Sequence, residues 1–375
     1  MANSAYTDVT PVKAVRQEVS KAARRGFAGI GEQGTAPGSA ATVVAWNDAN
    51  RDPASTMYLA SRATRVSALS IGARAPCRFT HGRVHSVYRQ ACNLEADDGV
   101  LLTLLADELG NVPHGIRCAL PEPADFRAWL HPAQMVAADG LSLKLPEAAI
   151  EIDLSAAMRW QCEWGRYAID VRAEATVGSL RTIRAILRDQ PPAGGFAPLL
   201  LQHMGPRSPL DRAMRGRLTQ ALPALRRADS DLDSVAAGRA LSLLAGLGPG
   251  LTPSGDDFII GYLTALHSRR AHEPMLSEYL NGLMSPIMKF AHAANVVSRQ
   301  YLLGALEGEV SEALARVVAR VAGADELGVQ ESAAHLMRAG HSSGADSLSG
   351  LLFGLCPAFL LEASAEARRS IRALP

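Results

Sequence analysis

Gly246-Leu247-Gly248-Pro249-Gly250-Leu251-Thr252-Pro253-Ser254-Gly255-Asp256-Asp257-Phe258 reads as a glycine-rich loop that runs straight into a helix. Thr252 followed by Pro253 has the form of an N-cap and a first helical residue. Asp256 and Asp257 fall in the first turn, where carboxylates suit the positive end of the helix dipole. Phe258, Ile259, Tyr262, Leu263 and Leu266 follow at helical spacing, and Arg269 and Arg270 stand at the far end.

The pattern occurs twice. Ser343-Gly344-Ala345-Asp346-Ser347-Leu348-Ser349-Gly350 aligns without gaps on Ser254-Gly255-Asp256-Asp257-Phe258-Ile259-Ile260-Gly261. Ser254 matches Ser343, Asp257 matches Asp346, Gly261 matches Gly350, and Thr252 aligns with His341. A local duplication of this kind predicts two helix starts packed about a pseudo-twofold axis and facing one shared pocket.

Bulk properties narrow the class. Lys and Arg number 38 against 37 Asp and Glu, so no global field draws in nucleic acid or a membrane surface. Hydrophobic residues make up 48% but aromatics only 5%, a composition rich in small side chains that favours close helix packing. The five cysteines, Cys77, Cys92, Cys118, Cys162 and Cys356, have no metal spacing and read as reduced thiols. The expected setting is the cytoplasm, with no signal peptide and no membrane span.

The expected fold is α+β, an N-terminal antiparallel β sandwich or barrel-like domain followed by a mainly α-helical domain. Residues 1–40 are expected to form a partly flexible basic leader, 41–154 the β-rich domain and 155–375 the helical domain. Strands are predicted at Thr42–Trp46, Arg65–Ile71, Arg83–Tyr88, Val100–Leu105, Gly115–Leu120, Leu141–Leu145 and Ala149–Leu154, with a short helix at Ala124–Met135. Helices are predicted at Pro209–Leu222, Asp233–Ala245, Pro253–Arg269, Pro274–Ala291, Val296–Leu306, Val310–Ala322, Ala324–Arg338, Gly344–Leu355 and Ala358–Leu374.

Successive helix-start amides, with glycines that permit close approach, suit a phosphate or carboxylate. The loop is not a Walker motif, because no Lys follows the glycines. Substrate contacts are therefore expected from Gly248, Gly250, Thr252, Ser254 and Gly255 in the first motif and Ser342, Ser343 and Gly344 in the second. Asp256, Asp257 and Asp346 are candidates for orienting an amine or amide, or Mg²⁺ at Asp256/Asp257, and His341 for proton transfer. The hydroxyls of Ser254, Ser342 and Ser343 are read first as helix caps. His81, Arg83 and His85 share a strand face, as a solvated surface or a polar wall toward a ligand. Asn295, Ser298 and Arg299 form a polar stripe that needs partners.

These motifs resemble the AllH subunit family of oxamate carbamoyltransferase. Gly248 to Asp257 and Gly340-His341-Ser342-Ser343-Gly344-Ala345-Asp346 carry the likeness, with Val84-His85-Ser86-Val87-Tyr88 and the Ser298 helix followed by Gly308, over roughly residues 80–360. The resemblance implies a subunit acting with FdrA-like and AllG-like subunits in allantoin and purine breakdown. Its reaction interconverts oxamate plus carbamoyl phosphate with oxalurate plus phosphate. Asn295-Val296-Val297 replaces a Thr-rich start to the Ser298 helix, a departure that bears on the acceptor substrate. A non-catalytic metabolite-binding or structural subunit, and a metal-dependent hydrolase, are the competing readings.

Overall fold

A computed structural model describes residues 64–120, 124–162, 167–201, 208–358 and 360. The expected leader, the strand at Thr42–Trp46 and nearly all of the helix at Ala358–Leu374 lie outside these residues.

Among the described residues nine strands form one sheet: β1 Thr64–Gly72, β2 Arg78–Val87, β3 Ala91–Ala96, β4 Leu101–Ala106, β5 Gly115–Cys118, β6 Met135–Asp139, β7 Ser142–Leu145, β8 Ile150–Asp153 and β9 Met158–Trp160. Their order is β5-β4-β3-β2-β6-β7-β8-β1-β9, and β1 also pairs with β5, which closes eight strands into a barrel. β8 and β9 follow one another along one side of β1, and β5 takes the other side. Val84, Cys92, Leu94, Leu102, Leu104, Ile116, Leu143 and Ile152 fill the interior.

The barrel differs from the predicted antiparallel one in three pairings, since β1–β8, β1–β9 and β4–β5 run parallel. A period of two is the same for either direction, so sequence alternation does not separate them. The helix predicted at Ala124–Met135 is absent. Asp125 caps a single 3-10 turn at Phe126–Ala128, and Met135 already belongs to β6. That alanine-rich stretch reads as helix locally, and pairing of β6 with β2 and β7 overrides it.

Ten α-helices follow among the described residues. They are α1 Glu174–Asp189, α2 Phe196–Leu201, α3 Pro209–Asp231, α4 Ser234–Ser242, α5 Ser254–Arg269, α6 Leu276–Ala293, α7 Val296–Leu306, α8 Glu312–Ala322, α9 Glu326–Met337 and α10 Ser343–Leu355. No helix among the described residues is long and apolar enough to cross a membrane. α3 runs through Pro223 instead of stopping at Leu222, because Leu225 and Ala228 continue its buried face.

α5 is buried on every side from Ser254 to Ser268, and α10 from Gly344 to Leu355. A helix with no polar face belongs in a core. The two cross where each carries a glycine. A Cβ on Gly261 would lie 1.8 Å from the Ser347 carbonyl oxygen, and one on Gly350 would lie 1.9 Å from that of Phe258. Phe258 and Ser347 are matched positions of the duplication, so the contact is its own mirror, as a pseudo-twofold axis requires.

Barrel and helices belong to one compact unit. Gln300 on α7 binds both backbone groups of Leu101 at the end of β4, which β5 leaves uncovered. Glu312 accepts from the Asn111 amide at 2.9 Å and from its side chain at 2.7 Å, and Arg74 pairs with Glu307.

At the far side of α5, Asp229 accepts hydrogen bonds from the Tyr262 and Tyr279 hydroxyls. Burial pushes its carboxyl up to about 6, against those hydroxyls and Arg269. The folded protein thus holds this proton more tightly than the unfolded chain does. The stabilisation is complete below about pH 4 and is lost as pH rises through about 6. Asp229→Asn is expected to flatten the decline between these values by on the order of 2 kcal/mol in urea titrations.

Candidate functional site

The duplicated helix starts do meet. Thr252 Oγ1, just before α5, lies 3.0 Å from Ser343 Oγ, the first residue of α10. Both residues are half-buried, whereas the acids behind them are almost completely enclosed: Asp256 is 1% exposed, Asp257 5% and Asp346 0%.

The hydroxyls serve the aspartates instead of capping their own helices. Neither α5 nor α10 has a side-chain cap, and α5 begins at Ser254 with Pro253 in the capping position. The Ser343 and Thr252 hydroxyls draw the Asp257 carboxyl down against its burial, and those of Ser254 and Ser342 do the same for Asp346. The matched serines Ser254 and Ser343 thereby each act on the other copy's aspartate, while Thr252 and Ser342 act on their own.

The helix-start amides are mostly consumed. Gly255 N–H donates to Leu247 O, and those of Asp256 and Asp257 donate to Pro253 O. The amides of Gly250, Leu251 and Thr252 make no hydrogen bond to any described residue. Gly250 has φ +101° and Gly248 φ +117°, the left-handed turns that expose this run of donors. Gly255 and Gly344 serve packing: a Cβ would lie 1.7 Å from Leu244 O and 1.8 Å from Leu336 O respectively.

Burial raises Asp257 well above the usual carboxylate range, and the Asp346 charge adds to it against the two hydroxyls. One Asp257 oxygen, Oδ2, has no hydrogen-bond partner. Asp346 is pushed up to about 6 by burial, opposed first by the Phe196 amide, which donates to its Oδ1 at 2.6 Å. It thus caps α2, and Gly195 presses so close that a Cβ there would sit 2.6 Å from Asp346 Oδ1. Asp256 is also raised by burial, and its oxygens accept from Gly246 N–H at 2.7 Å and from the Ser298 hydroxyl.

The polar stripe on α7 therefore finds protein partners. Ser298 holds Asp256, and Asn295 caps the helix by accepting from the Ser298 amide. His341 is exposed, two residues before Ser343. On β2, Arg83 pairs with Glu95 at 2.8 Å and His81 contacts Thr80, a solvated arrangement. His85 sits in the bulge between Val84 and Ser86, on the barrel, with Nδ1 3.1 Å from Ser86 Oγ.

Both Asp256 oxygens are occupied, and no group of three or more His, Cys, Asp or Glu that could hold a metal occurs among the described residues. Tyr301 is a residue that motif reading overlooked: burial raises its phenol above the usual range, opposed by Thr103 on the barrel and reinforced by the Asp257 charge. Its spacing from Ser298, three residues along α7, was the available signal.

Two family models match the chain. Oxamate carbamoyltransferase subunit AllH covers residues 244–355, the duplicated helix starts and everything between them, and the AllH family N-terminal domain covers residues 63–159, the barrel. No curated protein and no solved structure matches. The site's principal residues and the barrel beside it thus fall within the two matched segments, and the chain belongs to the AllH family of oxamate carbamoyltransferase subunits.

Proposed function

We propose that this chain binds the small anionic substrate of a carbamoyltransferase that interconverts oxamate plus carbamoyl phosphate with oxalurate plus phosphate in allantoin and purine catabolism. It acts with FdrA-like and AllG-like subunits. The observation that carries this reading is the meeting of Thr252 and Ser343 over the buried Asp257, beside the unengaged amides of Gly250, Leu251 and Thr252. Those amides cradle a phosphate or carboxylate. The Thr252 and Ser343 hydroxyls aim at the polar oxygen of the carbamoyl or oxamate group, and Asp257 orients them. His341 moves the proton from the rim of the site.

A second reading, a metabolite-binding or structural subunit without catalytic groups, draws on Asp346 and Asp256, whose oxygens chiefly hold protein donors. Calorimetric titration with carbamoyl phosphate, oxamate and oxalurate, together with a transfer assay of the reconstituted complex, separates the two. The catalytic reading expects transfer that falls at least about tenfold in His341→Ala. Binding with undiminished transfer in that variant and in Asp257→Asn supports the second.

A further inference from the structure

Helices α3 and α4 form a hairpin, turned by Leu232 in the left-handed region at φ +52° and by Asp233, the cap of α4. Between them lies a groove of about 410 Å³. Its floor is Ala224 and Ala228 from α3 and Ala236 and Ala240 from α4, so only methyl groups rise from it. The lining runs along α3 from Gln220 to Asp231, about 17 Å at a helical rise of about 1.5 Å per residue. α4 is pinned from behind, where a Cβ on Gly238 would lie 2.6 Å from the Pro286 side chain of α6.

Two guanidinium groups line this groove, Arg227 from α3 and Arg239 from α4. Both residues are exposed, and neither side chain makes a hydrogen bond or an ion pair to any described residue. Other exposed arginines of this protein do find carboxylates: Arg83, Arg127, Arg188, Arg316 and Arg320 each pair with Asp or Glu at 2.7–2.8 Å. At the hairpin end the lining turns acidic, with Asp231 and Asp233. A polyanion such as nucleic acid is repelled there. A small anion between the two arginines would stay hydrated, and a solvated pair adds little. A methyl floor of this length instead matches about three turns of a helix, with carboxylates placed to meet the two cations.

We propose that the groove between α3 and α4 is the docking site for an acidic amphipathic helix of a partner subunit. Small apolar side chains of that helix meet the alanine floor, where two helices can approach closely, and its carboxylates pair with Arg227 and Arg239. The chain belongs to a family of enzyme subunits, which requires a face for another chain. The groove also ends where the candidate site begins. Leu243 lines it, and the next residue, Leu244, presents the carbonyl against which Gly255 packs at the start of α5. A partner seated here stands on the segment that leads into the glycine loop. The proposal rests on reading this chain as one subunit of a carbamoyltransferase.

The test is calorimetric titration of the full chain with the FdrA-like subunit and, separately, with the AllG-like subunit, at low and high salt. Arg227→Glu/Arg239→Glu reverses both charges at exposed positions whose side chains hold nothing else in the fold. Ala236→Trp fills the floor from a half-buried position and leaves the charges alone. One of the two subunits is expected to bind each variant about tenfold or more weakly, and the charge reversal is expected to flatten the salt dependence. Affinities within about twofold of wild type in either variant would overturn the proposal. Self-association of the wild type that both variants abolish would assign the groove to a second copy and overturn it too. If the wild type binds neither subunit, the reading as a carbamoyltransferase subunit fails and takes the proposal with it.

Discussion

Gly261→Ala is expected to cost about 3 kcal/mol or more and to lower the melting temperature by about 10 °C, if the variant folds at all. The added Cβ would sit 1.8 Å from the Ser347 carbonyl oxygen, well inside van der Waals contact. Neither party can yield cheaply, since both belong to backbone at the centre of the helical core. Gly350→Ala meets the Phe258 carbonyl oxygen at 1.9 Å and is expected to behave alike. The two losses should not add, because either one already separates α5 from α10. Gly178→Ala on α1 is the control. No atom lies within 4 Å of its Cβ position, and alanine there is expected to add up to about 1 kcal/mol. Calorimetric melting of the three variants checks this, and an undisturbed Gly261→Ala would mean that the helices do not cross at these residues.

The second large effect concerns Asp257→Asn. Transfer by the reconstituted complex is expected to fall about 100-fold, while folding is preserved. Asparagine keeps the shape but presents an NH₂ group where the acid offers an acceptor or an exchangeable proton to Ser343 and Thr252. Stability should move in the opposite sense to activity. A carboxyl whose folded-state proton affinity is raised contributes fully below about pH 4, and that contribution is lost as pH rises through the folded value. Asparagine escapes this loss, so the variant is expected to match the wild type in acid and to exceed it in neutral and alkaline urea titrations. Lost stability at neutral pH would show instead that the Asp257 charge is compensated in the fold.

The sequence carried a good deal of this. The 89-residue echo between Ser254 and Ser343 predicted helix starts that face one another, and Thr252 and Ser343 are in contact. Their partners were not legible, because a serine beside a helix start reads as a cap whichever acid it serves. Asp346 illustrates the limit most clearly. Its donor is the Phe196 amide, 150 residues away, and no periodicity links the two. The barrel was legible as alternation, yet β3 was missed because Ala91-Cys92-Asn93-Leu94-Glu95-Ala96 has weak strand propensity and is fixed by its neighbours β2 and β4.

Whether the two helix starts act as one site is tested most directly by a double-mutant cycle on Thr252→Val and Ser343→Ala, read as kcat/KM for oxamate carbamoylation by the reconstituted complex. Each change alone is expected to cost about tenfold, and both together little more, because the hydroxyls orient one another over a single acid. Losses that multiply to about 100-fold, or no loss from either, would contradict a shared site.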